Sequence, residues 1–237
     1  MRHMAKRHKT LAALNLELKE MYPLTINQEL AFRSSKNMVL YGSAGSGKSF
    51  ISIYKAFKAI NYGAYNNLVI IRSAVPSRDM GFLPGTEKEK SAVYEEPYKD
   101  IAIELFGRGD AYAILKQKDM IQFMTTSFLR GMTLRDSVIV VDECQNMTFA
   151  ELDTIITRLG SNSLIYFCGD FNQTDLNKNG MREFLHILNA TQLFDFIEFD
   201  IEDIVRSGLV KQYLIAKDFY SNNEGSSQQQ NLPRGYA

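Results

Sequence analysis

The chain has 237 residues, of which 45% are hydrophobic and 23% charged, with zero formal net charge and a pI of about 6.8. These values describe one globular domain able to bury a substantial core, and no global basic field advertises nucleic-acid binding. No stretch approaches the roughly 20 apolar residues of a membrane span, and no apolar run follows the basic start as a signal peptide requires. Two cysteines, Cys144 and Cys168, make neither a disulfide framework nor a metal cluster. The expectation is a reducing cytoplasm and no membrane partner.

At the start, Arg2, Lys6, Arg7 and Lys9 all precede the first acid, Glu17. This run suits either a solvated terminus or a nucleic-acid arm, and residues 1–22 read as a basic extension. Thr25-x-x-Gln28 has the spacing of a capping box for the helix that follows. Short apolar runs then alternate with helical patterns. The predicted strands are Met38–Tyr41, Leu68–Ile71, Val138–Val141, Leu164–Cys168 and Phe194–Phe199. The predicted helices lie near Ser49–Ile60, Phe149–Leu159 and Met181–Leu188, with Thr148-x-x-Glu151 capping the second. Such alternation argues for a mostly parallel sheet with helices on both faces. Residues 72–136, rich in Gly, Pro and charge at the outset, read as an insertion between the second and third core strands. Helical patches at Pro97–Phe106 and Ala111–Lys116 lie within it. Residues 23–220 form the expected domain, and 221–237 are polar, low in complexity and expected to be disordered.

The chemistry concentrates at three strand ends. Gly42-Ser43-Ala44-Gly45-Ser46-Gly47-Lys48-Ser49 fits G-x-x-x-x-G-K-[ST] after a strand and before a helix, the context that confirms a phosphate-binding loop. Its glycines let the backbone wrap closely, its N–H groups converge on phosphate oxygens, and the helix dipole helps. Lys48 would reach the β- and γ-phosphates of ATP, and Ser49 would ligate Mg²⁺. In "SVIVVDECQN" an apolar strand ends at Asp142-Glu143. Asp142 suits the metal through water, and Glu143 suits orienting and deprotonating an attacking water. That pairing favours a hydrolase over a kinase. In "LIYFCGDFNQ" a further strand ends at Gly169-Asp170, with Gln173 three residues beyond. Asp170 and Gln173 suit sensing the γ-phosphate, or simply make a turn.

The ordered motifs "LTINQ", "GSAGSGKS", "RSAV", "GFLPG", "FLRGMTL", "VIVVDECQN", "ITRLG", "GDFNQTDL" and "EDIVRSGLV" resemble the PhoH-like family, phosphate-starvation-inducible ATPases related to superfamily-one helicase motors. The resemblance covers about Leu24 to Tyr220. It implies ATP binding and Mg-dependent hydrolysis on a RecA-like P-loop core, often assembled as a homo-oligomeric ring, with RNA unwinding ascribed to some members. The expected ring is a hexamer. The resemblance also implies that Gln28 reads adenine, as the matching glutamine does in related motors, alongside any capping role. Arg206 and Arg158 match family positions and are the candidates for an arginine finger, with a helix-surface ion pair as the competing reading of Arg206. Two departures stand out: Arg72-Ser73-Ala74-Val75 where the family has R-P-A-V, and Arg130-Gly131-Met132-Thr133 where it has R-G-R-T. The chain begins just before "LTINQ", so the nuclease domain of longer relatives, and ribonuclease activity, are not expected.

Polymer binding is less sharply written. Arg72, Arg78 and Arg130 suit a groove or pore for RNA or single-stranded nucleic acid. Phe82 suits either stacking on a base or packing under its own turn. His3, His8 and His186 carry no metal-ligand or catalytic spacing. The alternative to a motor is a nucleotide-controlled switch or scaffold, in which hydrolysis times partner release.

Overall fold

The computed structural model describes residues 10–73, 87–129, 131–171 and 180–223. Six strands, β1 (Asn37–Gly42), β2 (Asn67–Arg72), β3 (Ile121–Thr125), β4 (Ser137–Val141), β5 (Ser163–Gly169) and β6 (Phe194–Phe199), form one sheet in the order β3-β2-β4-β5-β1-β6. Every pairing is parallel. β5 lies between the strand that feeds the glycine-rich loop and the strand that ends in the acids, the additional-strand arrangement of a RecA-like P-loop core.

The inner strands β2, β4 and β5 are largely apolar because both faces are covered, and adjacent residues serve opposite faces. Met38, Leu40, Leu68, Ile70, Val138 and Val140 join one core cluster; Val39, Val69, Ile139, Val141, Ile165 and Phe167 join the other. α1 (Ile26–Arg33), α2 (Lys48–Asn61), α3 (Glu87–Phe106) and α4 (Ala111–Gln117) pack on the first face. α5 (Phe149–Thr157) and α6 (Met181–Thr191) pack on the second. α2 buries Ile51, Tyr54 and Phe57 at three-residue spacing, and α6 buries Met181, Phe184 and Leu188. α5 begins with the full capping box foreseen at Thr148 and Glu151.

Three stretches differ from expectation. The span 72–136 does more than decorate the sheet, because it contains β3, an edge strand paired with β2. It also supplies Tyr98, Leu105, Tyr112 and Leu115 to the core. β3 reads "IQFMT", with only its first and last residues buried, so its periodicity was too weak to mark a strand. Within the basic extension, Leu11 and Leu16 are core residues, Lys19 N–H donates to Leu105 O, and Met21 N–H donates to the Tyr54 hydroxyl. Residues 1–9 lie outside the described part. Finally, α7 (Gly208–Asn223) reaches three residues into the expected tail, and 224–237 lie outside the described residues.

Candidate functional site

The ends of β1, β4, β5 and β6 meet at the carboxyl edge of the sheet, where parallel α/β sheets receive ligands. After β1 the chain turns at Gly42, whose φ is 110° and where an added Cβ would lie 2.0 Å from Phe199 O. No other residue fits so close to β6. Ser43 N–H donates to the same carbonyl at 2.7 Å, fixing the loop to the end of β6. Gly47, with φ 88°, caps α2, so the amides of the helix start face out of the sheet edge.

Lys48 Nζ donates to Gly42 O (2.9 Å), Ser43 O (2.6 Å) and Ser46 Oγ (3.3 Å). Burial lowers its pKa, and the carboxylates Asp170, Glu143 and Asp142 oppose that shift. One ammonium therefore feels the ends of β4 and β5 at once. The next residue, Ser49, donates through Oγ to Asp142 Oδ1 at 2.7 Å. Ser49 and Asp142 are the pair suited to a divalent cation. Among the described residues no group of three or more His, Cys, Asp or Glu side chains is arranged to hold a metal. A cation here would draw its remaining ligands from phosphate and water, as Mg²⁺ commonly does. With the glycine-lined loop and Lys48 beside them, the residues present fit a magnesium nucleotide.

Glu143 follows in the left-handed region, φ 53°. That conformation is uncommon for a glutamate and turns its side chain off the strand direction. Its Oε2 accepts from Gln145 Nε2 at 2.6 Å, while Gln145 Oε1 accepts from Asp170 N–H at 3.1 Å. Gln145 therefore joins the acid to the end of β5. It was missed in the sequence although it stands two residues after Glu143, because only the fold brings it to Asp170.

Gln28 is buried, and both ends of its amide are in use: Oε1 accepts from Leu24 N–H (2.8 Å) and Nε2 donates to Ser46 O (3.1 Å). Thr25 Oγ1 accepts from Gln28 N–H, but the reciprocal half of the capping box goes to Leu24 instead of Thr25. In these contacts Gln28 braces the glycine-rich loop.

Beyond β6, residues 200–206 cross the loop as a strap. Val205 N–H donates to Gly45 O at 3.2 Å, and a Cβ on Gly45 would lie 2.9 Å from Arg206 Cγ. Arg206 thus stands over the loop of its own chain. The strap is tied to α1 by Asp203, buried, which accepts from Thr25 Oγ1, from Asn27 Nδ2 (2.8 Å) and from Asp200 N–H (2.9 Å). Asp203 was also missed; its only signal was its place within "EDIVRSGLV". Arg158 is not brought to the loop. It ends α5 at the amino edge of the sheet, where its carbonyl accepts from Leu134 N–H and its buried Nε has no hydrogen-bond partner among the described residues. Glu151 serves structure, accepting from Thr148 and from Thr126 Oγ1 (2.7 Å). His186 is exposed, and both cysteines are free and buried. Gln173, Arg78, Phe82 and Arg130 lie outside the described residues.

A family profile described as PhoH-like protein matches residues 20–218. The chain belongs to the PhoH-like family. It is 34% identical over 181 residues to a PhoH-like protein of Bacillus subtilis, covering 75% of this chain and 56% of that protein. It is 30% identical over 191 residues to Protein PhoH of Escherichia coli K12, covering 78% of this chain and 54% of that one. This PhoH-like chain thus spans little more than half the length of those relatives. Among solved structures, a Sulfolobus solfataricus SWI2/SNF2 ATPase core in complex with dsDNA is similar at 17% identity and a TM-score of 0.43. The match covers 65% of this chain and 34% of that one.

Proposed function

We propose that this chain binds ATP with Mg²⁺ at the carboxyl edge of its sheet and hydrolyses it. The observation that supports the reading is the Ser49–Asp142 hydrogen bond, which joins the residue after Lys48 to the residue before Glu143. Loop amides from Gly42 to Ser49, with the positive end of α2, bind the phosphate oxygens. Lys48 exchanges loop carbonyls for the β- and γ-phosphates, while Ser49 and Asp142 hold the cation. Magnesium supplies charge neutralisation across those oxygens. Glu143, held by Gln145, orients the attacking water and accepts its proton on the carboxylate. Gln173 senses the γ-phosphate. Gln28 reads adenine by giving up its bonds to Leu24 and Ser46, and Arg206 supplies positive charge from its own chain. ATPase assays on the wild type and Glu143→Gln test the reading. The variant should bind ATP and turn it over roughly 10²-fold or more slowly, and equal rates would end the proposal.

The finer reading is a cytoplasmic motor directed by RNA or other single-stranded nucleic acid, working as a homo-oligomeric ring such as a hexamer. Its support is Arg72, which ends β2 at the same sheet edge. RNA-stimulated turnover and strand displacement are its expected signs. A nucleotide-timed switch is the second reading, favoured by α7. Its Leu209, Tyr213, Phe219 and Tyr220 are exposed, and it has no extended packing against any other described element. ATP-dependent capture of a partner, with turnover indifferent to RNA, would select it.

A further inference from the structure

We infer that Tyr98 is a positioning residue for the cation site, setting the orientation of the Asp142 carboxylate. This rests on the reading of Ser49 and Asp142 as the pair that holds Mg²⁺. The two oxygens of Asp142 are divided between elements: Oδ1 accepts from Ser49 of α2, and Oδ2 accepts from the Tyr98 hydroxyl of α3 at 2.8 Å. Both Tyr98 and Asp142 are buried, at 1% and 6% exposure. Hydrogen bonds to a charged acceptor away from water are strong and directional, so the pair of donors fixes the plane of the carboxylate. The phenol ring is itself pinned, packed against Phe123 of β3 with centroids 5.7 Å apart. One helical turn earlier, Tyr94 lies under the Arg72 guanidinium at 5.6 Å, anchoring the same face of α3 to the end of β2.

A hydroxyl behind a metal-holding carboxylate acts by preorganisation. With it, Oδ1 stays turned to Ser49 and the cation; without it, the carboxylate is free to swing. Losing such an outer partner typically costs about 10- to 100-fold in metal affinity or activity. Because α3 belongs to the span between β2 and β3, the cation site depends on where that span sits, and not only on the loop and β4.

The test uses Mn²⁺ as a paramagnetic probe, titrated in the presence of ADP and followed by electron paramagnetic resonance. Tyr98→Phe keeps the ring and removes only the hydroxyl. It should weaken Mn²⁺ binding about 10-fold and leave ADP affinity in EDTA unchanged. Tyr112→Phe is the control. It removes the same kind of bond, Tyr112 hydroxyl to Glu95 Oε2 at 3.1 Å, away from the site and should leave Mn²⁺ affinity unchanged. Equal Mn²⁺ affinity in wild type and Tyr98→Phe overturns the inference, as does an equal loss in Tyr112→Phe or a matching loss of metal-free ADP affinity. A wild-type protein that holds no Mn²⁺ with ADP sinks the magnesium-nucleotide reading and this inference together, whereas wild-type binding matched by Tyr98→Phe sinks the inference alone.

Discussion

Lys48 is a cation with a ready-made substitute for its ligand. Two loop carbonyls and a serine hydroxyl satisfy its ammonium, so it stays within the loop despite a burial that disfavours its charge. On the proposed reading it is a charge-assisted donor to the phosphates, so Lys48→Ala should lower kcat/KM by about 10²-fold or more. Steady-state ATPase kinetics check this. Arg206 poses a different question, which chain it serves. Its stem rests on Gly45 of its own loop, so Arg206→Ala should bind nucleotide and lose roughly 10³-fold in turnover. Mixing it with Lys48→Ala protein should restore nothing. Recovered turnover in the mixture would mean that the arginine is donated to a neighbour. Lys48, Ser49, Asp142 and Glu143 stand out in the sequence because each follows a strand at a motif's own spacing. Gln145 and Asp203 do not, since their partners are 25 and as many as 178 residues away.

At the scale of elements, the strap formed by residues 200–206 connects three features that the sequence keeps apart: α1, the glycine-rich loop and the end of β6. Asp203 is the connection to α1, with Thr25 and Asn27 as donors. Asp203→Ala leaves those half-buried donors without their acceptor, at a cost of about 1 kcal/mol for each one. The thermal midpoint should fall by roughly 2–4 °C per kcal/mol, and nucleotide affinity should fall with it as Gln28 and Arg206 lose their common support. Calorimetry together with nucleotide titration checks both halves, and an unshifted midpoint refutes the tie. Helix starts such as Thr148 were readable because a cap is a local device. β3 was not readable, because an edge strand with three partly exposed residues lacks the continuous apolar run that marks its neighbours.

Across the whole molecule, the two core clusters lie on opposite faces of the sheet, and the first is closed at one corner by Lys55. Its ammonium donates to Phe32 O and Ser34 O, both at 2.8 Å, at the end of α1. Burial, aided by Lys58, depresses its pKa from 10.5 to about 8. Between those two values the unfolded chain holds a proton that the folded chain has released, so this group makes stability rise with pH across about 8 to 10.5. Below about 8 both states are charged and the penalty is full. Denaturant midpoints for wild type and Lys55→Met should therefore diverge over that window, with the wild type gaining on the variant. A constant difference between the two curves would contradict the depressed pKa. Assembly belongs to this scale too. Mass measurement with and without ATP should show a ring if one forms, and deletion of α7 should leave the core folded, since α7 contributes to neither cluster.

The chain's own order of residues determined the parallel α/β class, five of six strands, the glycine-rich loop and the positions of the two acids at a strand end. Those are local properties, written in apolar period, glycine placement and cap spacing, and they survive without knowledge of what lies across the sheet. Tertiary structure alone decided that Tyr98 and Ser49 share one carboxylate, that Gln145 links Glu143 to β5, and that Arg206 reaches the loop while Arg158 does not. Each is a contact between elements whose separation along the chain carries no periodic trace. Such contacts exist only once the sheet has set these strand ends side by side.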